Sequence, residues 1–304
     1  MEKLEYIVGE NQIRLDKFLL EQRPDQSRAY YQKLIKDGQV SVNDKAIMKT
    51  GFSLMNMDKV VVIIPSPVTV NILPENLNLD ILYEDDDVII VNKPKGMVVH
   101  PSAGHPNHTL VNGIIYHCGE HLSHINGEIR PGIVHRIDRN TTGALIVCKN
   151  DRAHRNIAEQ IKKHSVTRIY KGIVTGRVKE EEGIIEGNIG RDSKNRKKMA
   201  VVSDGGKSAI THYKVLERFQ RHTFMEFRLE TGRTHQIRVH MSHIGHPLFG
   251  DELYGKAVKK PYLLEGQTLH AETIGFQHPF TGQYIEINAE LPAYFKKLLS
   301  VLPK

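Results

Sequence analysis

The densest group of chemically useful side chains in this 304-residue chain is Gly132-Ile133-Val134-His135-Arg136-Ile137-Asp138-Arg139-Asn140-Thr141-Thr142-Gly143. Asp138 stands between two arginines, in a loop that runs into an apolar stretch. Such a setting suits a charged carboxylate acting as nucleophile or base, because guanidinium neighbours favour the anion. It equally suits a plain loop acid paired with Arg136 or Arg139, and spacing alone leaves both readings open. A second group, His235, His240, His243 and His246, lies in a chain that holds 17 histidines. Only the last three share a regular spacing, and no acid sits among them as in His-Glu-x-x-His, so no metal site is expected there. Gly206-Lys207-Ser208 would need an opening glycine at position 201 to form a phosphate loop, and Val201 stands there. His135-Arg136-Ile137-Asp138 fits a kinase catalytic loop poorly, with one residue too many before the acid and no Gly-rich loop upstream.

The elements that must position Asp138 are legible in part. Asp87 to Asn92 predicts a strand entering the turn Lys93-Pro94-Lys95-Gly96, and Thr109 to His117 a helix with Leu110 and Ile114 on one face. Gly143 to Lys149 predicts a buried strand. The helix after Asn150 carries Ala153, Ile157 and Ile161 on its apolar side and Arg152, Arg155 and Lys163 on the other. Met225, Phe227 and Leu229 alternate with Glu226, Arg228 and Glu230, as in a half-buried strand. Thr234 is placed to cap a helix whose buried face is Ile237, Met241 and Ile244, closed by Gly245. Half-polar strands of this kind predict an α+β fold, with a mixed, largely antiparallel sheet and flanking helices, rather than a doubly wound parallel one.

Upstream, Arg14 to Leu20 predicts a short helix and Ser27 caps a second one that runs to Lys36, with Gly38 just beyond it. Gln39 to Asn43 and Lys59 to Ile64 predict strands. The expected organisation is a small α/β module over residues 12–65, a proline-rich linker over 66–79 and a catalytic domain over 80–304.

Net charge is +7 and favours a polyanionic partner. Lys149 to Lys171 holds seven basic residues against two acids, and Arg191 to Lys207 six against two. The longest apolar run, Val60 to Ile64, is strand-sized, so no membrane span is expected. The charged N-terminus argues against a secretory signal, and Cys118 and Cys148 against a disulfide framework, so a reduced, cytoplasmic protein is expected.

The first module resembles the alpha-L RNA-binding domain, on Arg14-Leu15-Asp16-Lys17-Phe18-Leu19, Ser27-Arg28 and Lys33-Leu34-Ile35-Lys36-Asp37-Gly38-Gln39-Val40-Ser41-Val42-Asn43. Where that family has Gly-Asp before its last strand, this chain has Met57-Asp58. The larger region resembles the RluA/RluD-type pseudouridine synthases. The central segment is His135-Arg136-Ile137-Asp138-Arg139-Asn140-Thr141-Thr142-Gly143, against the usual His-Arg-Leu-Asp-x-x-Thr-Ser-Gly. Around it stand Val91-Asn92-Lys93-Pro94-Lys95-Gly96-Met97-Val98-Val99-His100-Pro101, Arg168-Ile169-Tyr170, Leu229 to His240 and His246 to Gly255, in the family's order.

The resemblance implies roles. Asp138 is similar to the acid that attacks or deprotonates the ribose, and Tyr170 to the aromatic that stacks on uracil and helps remove its carbon-5 proton. Arg233 is similar to the arginine that pairs with the acid, and Arg136 to the side chain that fills the gap left by a flipped base. His135, Lys93, Thr234 and His235, with Arg14, Ser27 and Arg28 of the first module, are placed on the RNA side. Uridine isomerisation breaks a ribose–nitrogen bond and rejoins the same base through carbon, so no water enters. One carboxylate can suffice where glycosidases need two, and neither metal nor organic cofactor is called for. The implied protein is a monomer acting on structured RNA, most plausibly ribosomal RNA of the large subunit. The competing readings are a non-catalytic RNA-binding or ribosome-assembly factor and a metal-dependent hydrolase.

Overall fold

In a computed structural model, the described residues are all except 1, 25, 65–71, 103, 120, 128–129, 196, 256–261 and 263. The chain divides into two compact units, Met1–Val70 and Asn71–Lys304.

The first unit runs β1 (Glu2–Ile7), β2 (Ile13–Arg14), α1 (Leu15–Gln22), α2 (Arg28–Lys36), β3 (Val40–Val42), β4 (Lys45–Ala46), β5 (Ser53–Leu54) and β6 (Lys59–Ile64). Four strands form one sheet in the order β1-β6-β3-β4. Leu15, Leu19, Ile35, Val40, Val60 and Val62 meet in its core. Ser27 caps α2 by accepting a hydrogen bond from Tyr30 N. Strand β1 is not anticipated by the sequence, since half of its residues are charged; it is held by full antiparallel pairing with β6. Met57, standing at the family's glycine, takes φ +69° and is 73% exposed. It has a left-handed backbone that a glycine would adopt without strain.

The linker expected over 66–79 lies outside the described residues up to position 71, and residues 72–80 hold no helix or strand. The second unit follows with β7 (Ile81–Glu84), β8 (Val88–Lys93), α3 (Leu110–Cys118), β9 (Thr142–Cys148), α4 (Asp151–Lys162), β10 (Thr167–Thr175) and β11 (Glu182–Arg191). Then come β12 (Met199–Val202), β13 (Lys207–Arg218), β14 (His222–Leu229), α5 (Gln236–His243), β15 (Leu269–Gln277), β16 (Tyr284–Asn288) and α6 (Ala293–Val301). Nine strands lie in the order β12-β11-β13-β14-β10-β15-β9-β8-β7, and β16 pairs β15. The pairing is antiparallel except at β9–β15, so the sheet is mixed and largely antiparallel, as expected.

Strands β8 and β9 carry the apolar runs Val88 to Val91 and Ala144 to Cys148 because both of their faces are covered there. Ile89, Val91, Leu145 and Val147 pack with Leu110 and Ile114 of α3. Val88, Ile90, Ala144 and Ile146 pack with Ala153 and Ile157 of α4 on the other side. Gly143 explains itself at the β9–β15 junction. It has φ +108°, and a Cβ there would collide with the carbonyl of Ala271. That close approach pins the end of the 135–142 loop against β15.

Candidate active site

Asp138 lies in a cleft of about 430 Å³ shared by the 134–141 loop, β10, the end of β14 and the start of α5. The volume is within the range of roughly 300–1,000 Å³ usual for small-molecule-sized sites. The turn that presents the acid is closed by Thr141 N donating to the Asp138 carbonyl at 3.0 Å. It is anchored by Gln267 Nε2 donating to Thr141 Oγ1 and by Thr142 Oγ1 against His270 Nδ1.

The arginine paired with the acid is Arg238, not Arg233. Arg238 Nη1 donates to Asp138 Oδ2 at 2.9 Å. Its Nε and Nη2 form a fork on Asp251, at 2.6 and 3.0 Å. Burial works against this guanidinium, but the bond to Asp251 and the charges of Asp138 and Asp251 overcome it and raise its pKa further. Arg233 lines the same cleft and donates through Nε to the Ser208 carbonyl at 2.8 Å. The correction has a physical reason. Thr234 does not cap α5; the cap is His235, in a left-handed conformation at φ +58° with no side-chain capping bond. That entry turns the first helical turn so that Arg238, three residues on from His235, shares its side and faces the acid. Ile244, expected on the buried face, is 37% exposed. Arg238 and Asp251 were both inside motifs legible in the sequence; the spacing from His235 was the available signal for Arg238, and nothing local marked Asp251.

The two arginines that flank the acid in sequence do not pair with it. Arg139 Nε donates to the Gly96 carbonyl at 3.0 Å, and Arg136 is exposed at the cleft. His235 Nε2 stands 3.9 Å from Asp138 Oδ1, with Nδ1 held by the Tyr254 hydroxyl at 2.8 Å. Burial lowers its pKa, Asp138 pulling the other way. Tyr170 is buried in the cleft wall, and burial pushes its hydroxyl up. A bulge places Ile169 opposite Thr273 but Tyr170 opposite Ala271, adding local twist where Tyr170 meets the cleft.

Two residues expected on the RNA side serve inside the protein. Lys93 is fully buried, and its Nζ donates to the carbonyls of Pro94, Met97 and Arg139 at 2.9, 2.9 and 3.0 Å. Burial pulls it down to about 7, with Asp138 opposing. Three carbonyl acceptors need three N–H donors, which only the ammonium supplies, so the geometry favours the charged form. Lys93 therefore ties the turn after β8 to the backbone beside Asp138 and reaches no phosphate. His135 accepts from Ile146 N through Nε2 at 2.9 Å, and burial drives it down to about 3. It is a neutral ring in the cleft wall and not a cation for RNA. Thr234 is exposed at the cleft rim.

In the first unit, Arg14 and Arg28 both bind the buried Asp16, at 3.1 and 2.9 Å, while about half of each side chain stays exposed. The histidines of α5 and after it go to separate partners. His240 Nδ1 meets Thr211 Oγ1 at 2.9 Å and His246 Nδ1 the Thr175 carbonyl at 3.0 Å. Among the described residues the three side chains whose possible ligand atoms converge are Asp85, Asp87 and His278. Asp85 there is committed to Tyr83, His278 and two backbone amides.

The cleft thus brings together one acid, a buried tyrosine and the arginine paired with the acid. Comparison with known proteins names the class. The profile of the RNA pseudouridylate synthase family matches residues 87–243, and that of the S4 domain residues 13–60. The chain is 50% identical over 291 residues to an "Uncharacterized RNA pseudouridine synthase YlyB" of Bacillus subtilis (strain 168), covering 96% of this chain and 94% of that one. It is 43% identical over 297 residues to "Ribosomal large subunit pseudouridine synthase D" of Zymomonas mobilis, covering 95% and 93%. The solved structure of "Human RNA Pseudouridylate Synthase Domain Containing 1" matches with a TM-score of 0.57 and 26% identity, over 75% of this chain and 87% of that chain. This chain belongs to the RNA pseudouridylate synthase family and carries an S4 domain. It is an RNA pseudouridine synthase. No helix among the described residues is long and apolar enough to cross a membrane.

Proposed function

We propose that this enzyme isomerises uridine in large-subunit ribosomal RNA, with Asp138 acting on the ribose of a flipped-out uridine and without a cofactor. The observation that carries the reading is the placement of Asp138 in the cleft, held by Arg238 at 2.9 Å and sharing the cleft with Tyr170. A base in a helix is out of reach, so it must leave the stack at a cost of roughly a few kcal/mol, offset by stacking and inserted side chains. Tyr170 supplies the stacking surface and exposed Arg136 the side chain that fills the gap. Arg233, Thr234 and His235 border the path of the strand, and Arg14 and Arg28 offer their exposed halves to phosphate. The reaction moves a base without oxidation, reduction or added atoms, so the chain's own residues can supply its acid–base chemistry. The reading takes the enzyme to be a monomer working in the cytoplasm. The relatives named as ribosomal large-subunit pseudouridine synthases support the ribosomal substrate. Pseudouridine maps of ribosomal and transfer RNA from deletion and parent strains test it. Loss of one or more large-subunit positions is expected, and losses confined to transfer RNA would redirect the substrate.

A further inference from the structure

Arg168 is 6% exposed, yet it lines the same cleft as Asp138. It sits on β10 two residues before Tyr170, so the two side chains share one face of the strand. Its Nη2 donates to the Glu230 carbonyl at 2.9 Å, and its Nε is buried with no partner. Among the described residues no acid pairs with it; burial lowers its pKa, Tyr170 opposing and Arg233 adding to the effect. The loop after β14 presses on it, since a Cβ on Gly232 would stand 2.5 Å from Arg168 Nη1. Guanidinium does not give up its proton in proteins. Arg168 is therefore a rigid, buried cation with a spare donor and without a counter-ion, in the wall of a catalytic cleft.

The reaction itself supplies the missing anion. When C1′–N1 breaks, the bonding pair leaves with nitrogen and the base becomes a uracil anion, its charge shared by N1 and the carbonyl oxygens. That holds whether an Asp138 oxygen bonds to C1′ or takes the C2′ proton. In the first route C5 then bonds to C1′, the carboxylate departs with its electron pair, and the C5 proton is removed and ends on N1. Atoms and charge balance, and the anion exists only between cleavage and rejoining.

We propose that Arg168 is the cation that holds the detached uracil anion, its buried, uncompensated charge in the cleft wall stabilising the base while it turns beside Tyr170. This inference deepens the reading of Asp138 given above and rests on it. A cation fixed where charge develops acts on the transition state more than on the bound substrate.

The test compares single-turnover isomerisation and RNA affinity for the intact enzyme, Arg168→Met, Arg168→Lys and Asp138→Asn. Arg168→Met is expected to slow isomerisation roughly a hundredfold, the usual loss for one preorganised donor. Its Kd for RNA should stay within about threefold, since phosphate contacts elsewhere carry affinity. Arg168→Lys should recover part of the rate, because it keeps a cation. Addition of guanidinium chloride at low concentration to Arg168→Ala should raise its rate, where sodium chloride at equal ionic strength does not. A parent-like rate in folded Arg168→Met overturns the proposal. So does a loss wholly explained by weaker RNA binding, which would make Arg168 a phosphate contact. Should Arg168→Met fail to fold, the uncharged Arg168→Gln decides by the same split between rate and affinity, a parent-like rate being the overturning result. Failure of the underlying reading shows separately, as activity retained by Asp138→Asn.

Discussion

Arg238 and Asp138 stand one hundred positions apart in the chain and meet at 2.9 Å, Nη1 to Oδ2. The same guanidinium grips Asp251 with its other two nitrogens. The Asp138 loop, the first turn of α5 and the 246–255 segment are thus locked by one planar group with fixed fork geometry.

That lock separates Arg238 from Arg233 in experiment. Arg238→Ala leaves the buried Asp251 without its cation, with the amides of Leu253 and Tyr254 still donating to it, and should cost about 3–5 kcal/mol in stability along with nearly all turnover. Arg233→Ala removes a bond to the Ser208 carbonyl at a partly exposed position, and should stay within about 1 kcal/mol of the parent. Chemical denaturation and single-turnover rates check both. Equal destabilisation by the two substitutions would contradict the pairing.

Asp138→Asn keeps size and hydrogen-bonding capacity but removes the charge that we propose acts on the ribose. We expect a rate loss of at least about a thousandfold, on the order of 4 kcal/mol. RNA affinity should hold or tighten slightly, because an acid facing a polyanion has gone. Chemical detection of pseudouridine after long incubation, paired with RNA titration, reads both quantities. A folded variant that isomerises at near-parent rates would sink the assignment.

Lys93→Met takes a donor from three carbonyls, those of Pro94, Met97 and Arg139, the last of which keeps its bond from Gly96 N. A stability loss of about 3 kcal/mol or more is expected. The salt dependence of RNA binding should keep its slope, since a buried lysine neutralises no phosphate. A slope lower by about one would restore Lys93 as an RNA contact.

Asp16 sets an acid limit on the first unit. Burial would raise its carboxyl, but bonds from Arg14, Gln32 and Arg28 hold it at about 2, against an ordinary 3.8. A carboxyl lowered by folding contributes stability that is present above about pH 4 and lost as pH falls through 2. The contribution is about 2 kcal/mol. Hydrogen exchange of α1 and α2 amides in the intact protein should weaken across that window, and Asp16→Asn should flatten the response. An Asp16 carboxyl signal titrating near 4 by NMR would refute it.

Met57→Gly relieves a side chain held at φ +69°. The left-handed backbone costs a non-glycine residue about 1–2 kcal/mol, while glycine adds roughly 0.5–1 kcal/mol of unfolded-state entropy. A net gain below about 1 kcal/mol is expected in the urea midpoint of the first unit. A loss would show that the Met57 side chain contributes more than the turn strain removes.

How much of this was written in the sequence can be told residue by residue. The apolar runs of β8 and β9, the Ala153/Ile157 stripe of α4 and the Ser27 cap were legible, because periodicity and capping are local properties. The family motifs located Asp138, Tyr170 and the cleft segments, because their order along the chain is itself sequence. Strand β1 was not legible, since what makes it a strand is its partner β6 and not its own mixed residues. The partner of Asp138 was not legible either. Arg136 and Arg139 lie nearest in sequence and Arg233 fits the family pattern, yet the left-handed cap at His235 rotates Arg238 into place. The same holds for Lys93, which sequence reads as a cation for RNA and the fold uses as a clamp on three carbonyls. Residue type and local period decide which elements form. Which charges meet is decided by how distant elements pack, and burial then fixes whether a basic side chain binds RNA or its own backbone.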